Sequence, residues 1–139
     1  MIDITNCRYR TSVKAIVRNE QGDILLCQEK DGRREVPGGG IEHGEDVFVA
    51  LRREIYEETG LEVVDIDPRP LCYITSENGN PLRPFIANIC YAITIKNLDF
   101  TPSDECIAIG FFNPETIKTI DVFGSARRVV EAVFTLDKK

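Results

Sequence analysis

The chain has no tryptophan and only one histidine, His43, and one methionine among 139 residues. A lone histidine leaves no room for a site built on paired imidazoles, whether a zinc centre or a histidine relay. The five cysteines, Cys7, Cys27, Cys72, Cys90 and Cys106, are odd in number, widely spaced and never arranged as C-x-x-C. That spacing argues against a thiolate metal cluster or a dithiol redox motif and favours buried free thiols in a reducing cytosol. Basic excess is also missing: 17 Lys and Arg stand against 23 Asp and Glu, a formal charge of -6. No nucleic-acid or anionic-membrane partner is expected of such a surface, whereas a cationic ligand suits it. No apolar run approaches a membrane span, and Met1 to Arg10 shows no basic stretch followed by an apolar one. The expectation is a soluble, cytoplasmic protein.

What is present is a composition that is 42% hydrophobic, enough for one globular domain over residues 1–139 with a continuous core. Val13 to Arg18 and Ile24 to Gln28 are β-rich runs joined by Asn19 to Asp23, which predicts a hairpin as the first strand pair. A polar loop, Glu29 to Glu35, leads to Val36-Pro37-Gly38-Gly39-Gly40, where Pro and three glycines exclude a regular helix and let backbone approach a ligand. From Asp46 to Thr59 there is neither Pro nor Gly and Gly60 offers a stop, so one helix is predicted. Strands are predicted at Glu62 to Ile66, Leu71 to Ser76, Phe85 to Ile95 and Ile107 to Phe112, with a loop at Asn78 to Pro81. Ala126, Val129, Val130, Val133 and Phe134 recur at helical spacing and predict an amphipathic C-terminal helix within Val122 to Leu136. Hairpins together with longer crossovers indicate an α/β fold, a mixed sheet sandwiched between helices.

The central helix carries an anomaly. Phe48, Leu51 and Ile55 fall on one face, while Glu54, Glu57 and Glu58 crowd an adjoining arc. Glu54 and Glu58 form a like-charge i,i+4 pair, unfavourable unless a positive group lies nearby. Arg53 is placed to pair with Glu57, but one guanidinium does not offset three carboxylates. Oxygen ligands without histidine or cysteine suit Mg²⁺ or Mn²⁺, ions that often share their coordination with substrate phosphates. The alternative is a solvated acidic face. The glycine turn ahead of the helix, with free backbone groups for a phosphate or a metal, favours the site.

Gly39-x5-Glu45-x7-Arg53-Glu54-Ile55-x-Glu57-Glu58-x-Gly60-Leu61 resembles the Nudix box, G-x5-E-x7-R-E-U-x-E-E-x-G-U with U aliphatic, at all nine specified positions. The resemblance implies a Nudix α/β/α sandwich that hydrolyses a nucleoside diphosphate linked to another group, with water attacking phosphorus. It implies that Glu54, Glu57, Glu58 and the Gly38 carbonyl hold roughly one to three Mg²⁺ or Mn²⁺ ions, with Arg53 orienting the carboxylates and Glu45 supporting them. The general base is left open between Glu57 and a loop acid. Glu105, ahead of Phe111-Phe112, resembles the family's late acidic residue, with Asp104 as fallback.

Departures bear on the substrate. Arg34 stands where family members often carry an aromatic residue, and Arg33 and Arg34 are candidates for phosphate contacts or simply solvated. His43 sits at a variable box position and is expected at the surface. Tyr73, Phe85, Asn88 and Phe112 are candidates to hold the base, each with a core or loop role as the alternative. The small-molecule substrate is expected to be a nucleoside triphosphate, oxidised forms included, or a nucleotide sugar. ADP-ribose hydrolysis, a nucleotide-sensing binding module and an isoprenoid diphosphate isomerase using Cys72 or Cys90 are alternatives; the missing tryptophan weakens the last. Oligomeric state is left open, a homodimer included.

Overall fold

The computed structural model describes residues 9–77, 81 and 85–139. Cys7 and all but Pro81 of the loop expected at 78–81 lie outside the described residues. The chain runs β1 (Arg10–Ile16), β2 (Ile24–Gln28), β3 (Arg34–Glu35), β4 (Gly38–Gly40), α1 (Val47–Thr59), β5 (Val63–Ile66), β6 (Cys72–Glu77), β7 (Phe85–Ile95), β8 (Ala108–Phe112) and α2 (Gly124–Leu136), with a 3-10 turn at Thr116–Thr119 before α2.

The larger sheet has the order β4-β1-β7-β5, with β6 also pairing along β7. β1 and β7 are parallel, from Arg10 opposite Ile86 to Ile16 opposite Ala92, and the remaining pairs of this sheet are antiparallel. The smaller sheet, β3-β2-β8, is antiparallel throughout. The expected first strand pair is therefore corrected. The turn forms as predicted, with Asn19 Oδ1 accepting from the N–H groups of Gln21 and Asp23. Beyond a single bridge, Arg18 with Ile24, the two strands part into different sheets. Four consecutive residues of β2, Ile24 to Cys27, are buried, so both faces of the strand are covered and its ladder partners are β3 and β8.

Two cores lie on opposite faces. Val13, Ala15, Tyr91 and Ile93 point from the larger sheet towards Ala50, Leu51 and Ile55 of α1. Ile16, Cys90 and Ile74 point the other way, towards Ala126, Val129, Val130 and Val133 of α2. The α/β sandwich is thus as expected, and each helix is held by its apolar stripe, a full burial contributing ~2 kcal/mol per large aliphatic side chain. On the α2 face, β1 turns polar before Ile16: Ser12 and Lys14 occupy the inward positions there. Cys27, Cys90 and Cys106 are buried free thiols and Cys72 is half-buried, in line with the expectation for these four.

Candidate active site

The acidic site starts from how α1 is fastened. Asp46 caps its N-terminus, its carboxylate accepting from Phe48 N–H at 2.9 Å and Val49 N–H at 3.3 Å. Gly60, with φ of 70°, closes it by donating its N–H to the Tyr56 carbonyl. Both ends fall where the sequence placed them, so the rotation of the helix, and with it the direction of each glutamate, is set by the burial of Leu51 and Ile55.

Burying that stripe carries Glu58 inward. It is only 7% exposed, and its Oε1 accepts the Gly38 N–H at 3.0 Å. Burial pushes its carboxyl up to about 8, Glu54 and Glu105 adding to the effect while Lys14 and the Gly38 N–H oppose it. Glu54 lies one turn earlier, and burial raises its pKa as well, against the Arg53 guanidinium. Glu105 completes the group: one oxygen from each of Glu54, Glu58 and Glu105 lies within 4.8 Å of the others. Glu57 is not among them. Its side chain is 57% exposed and pairs with Arg53 at 3.2 Å. Of the three box carboxylates on the predicted arc, the structure brings Glu54 and Glu58 together with the loop acid Glu105 and leaves Glu57 towards solvent.

Glu105 reaches this place through Ser103. The Ser103 hydroxyl donates to the Glu58 carbonyl at 2.7 Å and accepts from the backbone N–H groups of Glu105 and Cys106. Thr101 N–H donates to the Thr59 carbonyl at 2.8 Å, so the loop is laced to the end of α1. Ser103 was absent from the sequence reading, although Pro102-Ser103-Asp104 has the composition of a hydroxyl-stabilised turn. Asp104, the fallback acid, points away, 98% exposed beside Lys30.

The glycine segment, expected as a turn and not a helix, forms the short strand β4, antiparallel to β1 with Gly38 opposite Lys14. Gly38 has φ of 136°, and a side chain there would run into the Val13 carbonyl. A Cβ on Gly39 would lie 2.5 Å from Glu54 Oε2, so the missing side chain is the space the Glu54 carboxylate occupies. Arg53 braces the group from outside. It forms a two-pronged pair with Glu45 (Nε–Oε2 2.7 Å, Nη2–Oε1 2.9 Å), donates to Glu54 at 3.0 Å and reaches the Gly40 carbonyl at 3.3 Å. Its main partner is Glu45, whose pKa it lowers, rather than the expected Glu57.

The remaining candidates separate by strand face. Asn88 lies on the α2 face and lines a cleft of about 640 Å³, together with Arg33 and Lys14. Tyr73 pairs opposite Ile89 and Phe85 opposite Glu77, at alternate positions to Asn88, and neither lines the cleft. Tyr73 is 62% exposed and Phe85 packs on the Tyr9 ring. Phe112 belongs to the α2 core and lies under Arg34, whose guanidinium is 4.9 Å from the ring centre. Arg34 thus fills the place of the customary aromatic residue by stacking, and does not line the cleft. His43 is exposed, as expected.

Known proteins share this sequence pattern and fold. Nucleoside triphosphatase NudI of Klebsiella pneumoniae is 29% identical over 131 residues, covering 86% of this chain and 93% of that protein. The crystal structure of MutT protein from Methanosarcina mazei is 25% identical with a TM-score of 0.75, covering 94% of this chain and 96% of the other. An ADP-ribose pyrophosphatase from Streptococcus suis shares the fold at 22% identity and a TM-score of 0.74, over 95% of this chain and 94% of that one. The family model described as NUDIX domain matches residues 8–133. That match takes in nearly the whole chain, which belongs to the NUDIX family as a Nudix pyrophosphohydrolase.

Proposed function

We propose that residues 1–139 act as a single domain that hydrolyses the pyrophosphate bond of nucleoside diphosphate-X compounds, nucleoside triphosphates first among them, with Mg²⁺ or Mn²⁺. The observation that carries this reading is the convergence of Glu54, Glu58 and Glu105 within 4.8 Å, with Glu58 buried. The donor set fits a hard divalent ion: it is all oxygen, its spacing matches ligands about 2.0–2.6 Å from a shared centre, and among the described residues no cationic side chain forms an ion pair with the buried Glu58. The 29% identity to a nucleoside triphosphatase supports the choice of substrate.

Glu54, Glu58 and Glu105 would hold the ion, with the Gly38 carbonyl and Glu57 at the edge of the same group. Bound metal supplies charge neutralisation at the phosphate oxygens and makes water a better nucleophile. The chain's own residues do the rest. Arg53 fixes the Glu54 rotamer and keeps Glu57 at the rim. Glu105, on the exposed side of the group, accepts the proton of the attacking water, and Glu58, opposite the Gly38 N–H, would be ionised only with a cation bound beside it. The exposed Glu57, tied to Arg53, is less well placed for that proton.

The test is a panel of nucleoside triphosphates, ADP-ribose, dinucleoside polyphosphates and nucleotide sugars, with Mg²⁺, Mn²⁺ or EDTA. Metal-dependent release of phosphate or pyrophosphate from a nucleoside triphosphate is expected. If no member is turned over with either metal, the reading fails and a nucleotide-binding module takes its place.

A further inference from the structure

Glu105 has to be held where it is. One of its carboxylate oxygens lies within 4.8 Å of oxygens from Glu54 and Glu58, and like charges that close repel. The residue is exposed, so solvent is open to its side chain. Among the described residues no cation pairs with the Glu105 carboxylate and no donor bonds to it; its only side-chain partner is the Ser103 hydroxyl, which takes its backbone N–H. The direction of this acid is therefore set by its backbone.

A serine hydroxyl has one proton to donate and two lone pairs to accept with, and Ser103 uses all three. It donates to the Glu58 carbonyl at 2.7 Å and accepts from Glu105 N–H at 3.3 Å and Cys106 N–H at 3.2 Å. The Glu58 carbonyl is among the last of α1, which find no partner inside their own helix. The next one, on Thr59, is taken by Thr101 N–H at 2.8 Å. Gly60 makes room for that contact, since a Cβ there would lie 3.0 Å from the Thr101 Cβ. The loop is thus docked on the end of the helix that carries Glu54 and Glu58. Beyond Glu105, Ser103 N–H donates to the Cys106 carbonyl at 2.9 Å, and Cys106 is fully buried. Glu105 therefore projects from a short span between two fixed points, and a single hydroxyl joins its amide to the backbone of Glu58.

We infer that Ser103 is a positioning residue of the reaction: its hydroxyl sets Glu105 against Glu54 and Glu58, and it acts on turnover and on metal affinity through Glu105 alone. This rests on the reading of the chain as a metal-dependent pyrophosphohydrolase with Glu105 in the acidic group. Removing the hydroxyl leaves the Thr101 tether and the buried Cys106 in place, so the fold is kept while Glu105 is free to turn towards solvent.

The experiment is a double-mutant cycle of Ser103→Ala and Glu105→Gln, with Ser103→Thr as the conservative variant that keeps a hydroxyl, each checked for folding by thermal melting. Steady-state kinetics use a nucleoside triphosphate at saturating Mg²⁺, and electron paramagnetic resonance of free Mn²⁺ gives metal affinity without nucleotide. In Ser103→Ala, kcat is expected to fall roughly 10- to 100-fold with KM nearly unchanged, and the Mn²⁺ dissociation constant to rise about tenfold. Ser103→Thr restores both to within about threefold of the wild type, and in the Glu105→Gln background Ser103→Ala costs less than about threefold in either. If Ser103→Ala does not fold, Ser103→Asn takes its place in the cycle, since its amide oxygen still serves the two N–H groups while the hydroxyl on the Glu58 carbonyl is gone. Equal losses from the serine substitution in both backgrounds overturn the inference, because Ser103 then acts on the helix end and not through Glu105. So do a Ser103→Thr variant as slow as Ser103→Ala, and an Mn²⁺ affinity that the serine substitution leaves unchanged. A wild type that turns over no nucleotide loses the proposed reaction, and the Mn²⁺ cycle alone then decides on Ser103. A wild type that binds no Mn²⁺ overturns the inference outright.

Discussion

Removing the buried charge at Glu58 is expected to make the metal-free protein more stable, although it removes a central group of the active site. The folded carboxyl is pushed up to about 8, against 4.5 for a free glutamate, mainly by burial. The sign follows from which state binds the proton more tightly. Because the folded value is the higher one, ionised Glu58 opposes folding: the penalty is absent below about pH 4.5, grows from there to pH 8 and is complete above it. At ~1.36 kcal/mol per pH unit, the penalty is ~4 kcal/mol at pH 8, ~3 kcal/mol at pH 7 and under ~1 kcal/mol at pH 5. Glu58→Gln keeps an oxygen for the Gly38 N–H and carries no charge at any of these values. In EDTA at pH 7.5 the variant should melt roughly 10 °C above the wild type, and the difference should close as the pH falls to 5. Lys14, Glu54 and Glu105 face the group and are present in both proteins, so subtraction isolates Glu58. Mg²⁺ should then raise the wild-type melting temperature more than that of the variant, since an ion that binds only the folded state stabilises it by mass action. A variant that melts at or below the wild type in EDTA at pH 7.5, or a difference that does not depend on pH, would refute the reasoning.

This balance explains why the site was only partly legible in the sequence. Helix α1 was readable at both ends because its signals are local: Asp46 caps within three residues and Gly60 stops it within one turn. The inward turn of Glu54 and Glu58 was readable too, because residues four apart share a face that lies beside the Leu51–Ile55 stripe. Glu57 follows from the same geometry, being about 60° from Glu54 and 100° from Glu58 on the wheel, which takes it towards solvent. The pairing of Arg53 with Glu45 needed the chain before the helix to fold back, and helical spacing holds no information on that.

What the sequence hid is what depends on distant partners. β1 and β2 look like a hairpin because their turn is one, but a strand buried on both faces, as β2 is, does not say which ladder it joins. Glu105 arrives through a hydroxyl bond between Ser103 and Glu58, residues 45 apart in the chain. Tyr73, Phe85 and Asn88 seemed equivalent as candidates, and strand parity separates them: alternate positions face opposite sides of the sheet, and only Asn88 faces the cleft. Parity could be read only after the register with β1, Ser12 opposite Asn88, was known.

Two further substitutions probe the acidic group. Gly39→Ala places a methyl group 2.5 Å from Glu54 Oε2, so Glu54 must swing out of the group; turnover should fall roughly a hundredfold while the melting temperature moves by only a few degrees. Wild-type turnover in Gly39→Ala would mean that Glu54 is dispensable where it now sits. Glu105 and Asp104 are adjacent loop acids with opposite surroundings, one converging with Glu54 and Glu58 and the other in solvent beside Lys30. Glu105→Gln keeps the shape of the side chain and the Ser103 turn, and removes both the metal-facing charge and the proton acceptor, so kcat should fall by about 10²–10⁴. Asp104→Asn removes an equal charge one residue away and, being fully hydrated, should leave kcat unchanged. Equal losses in the two variants would show that the loop acts through its overall charge, and the separation of Glu105 from Asp104 by geometry would then be wrong.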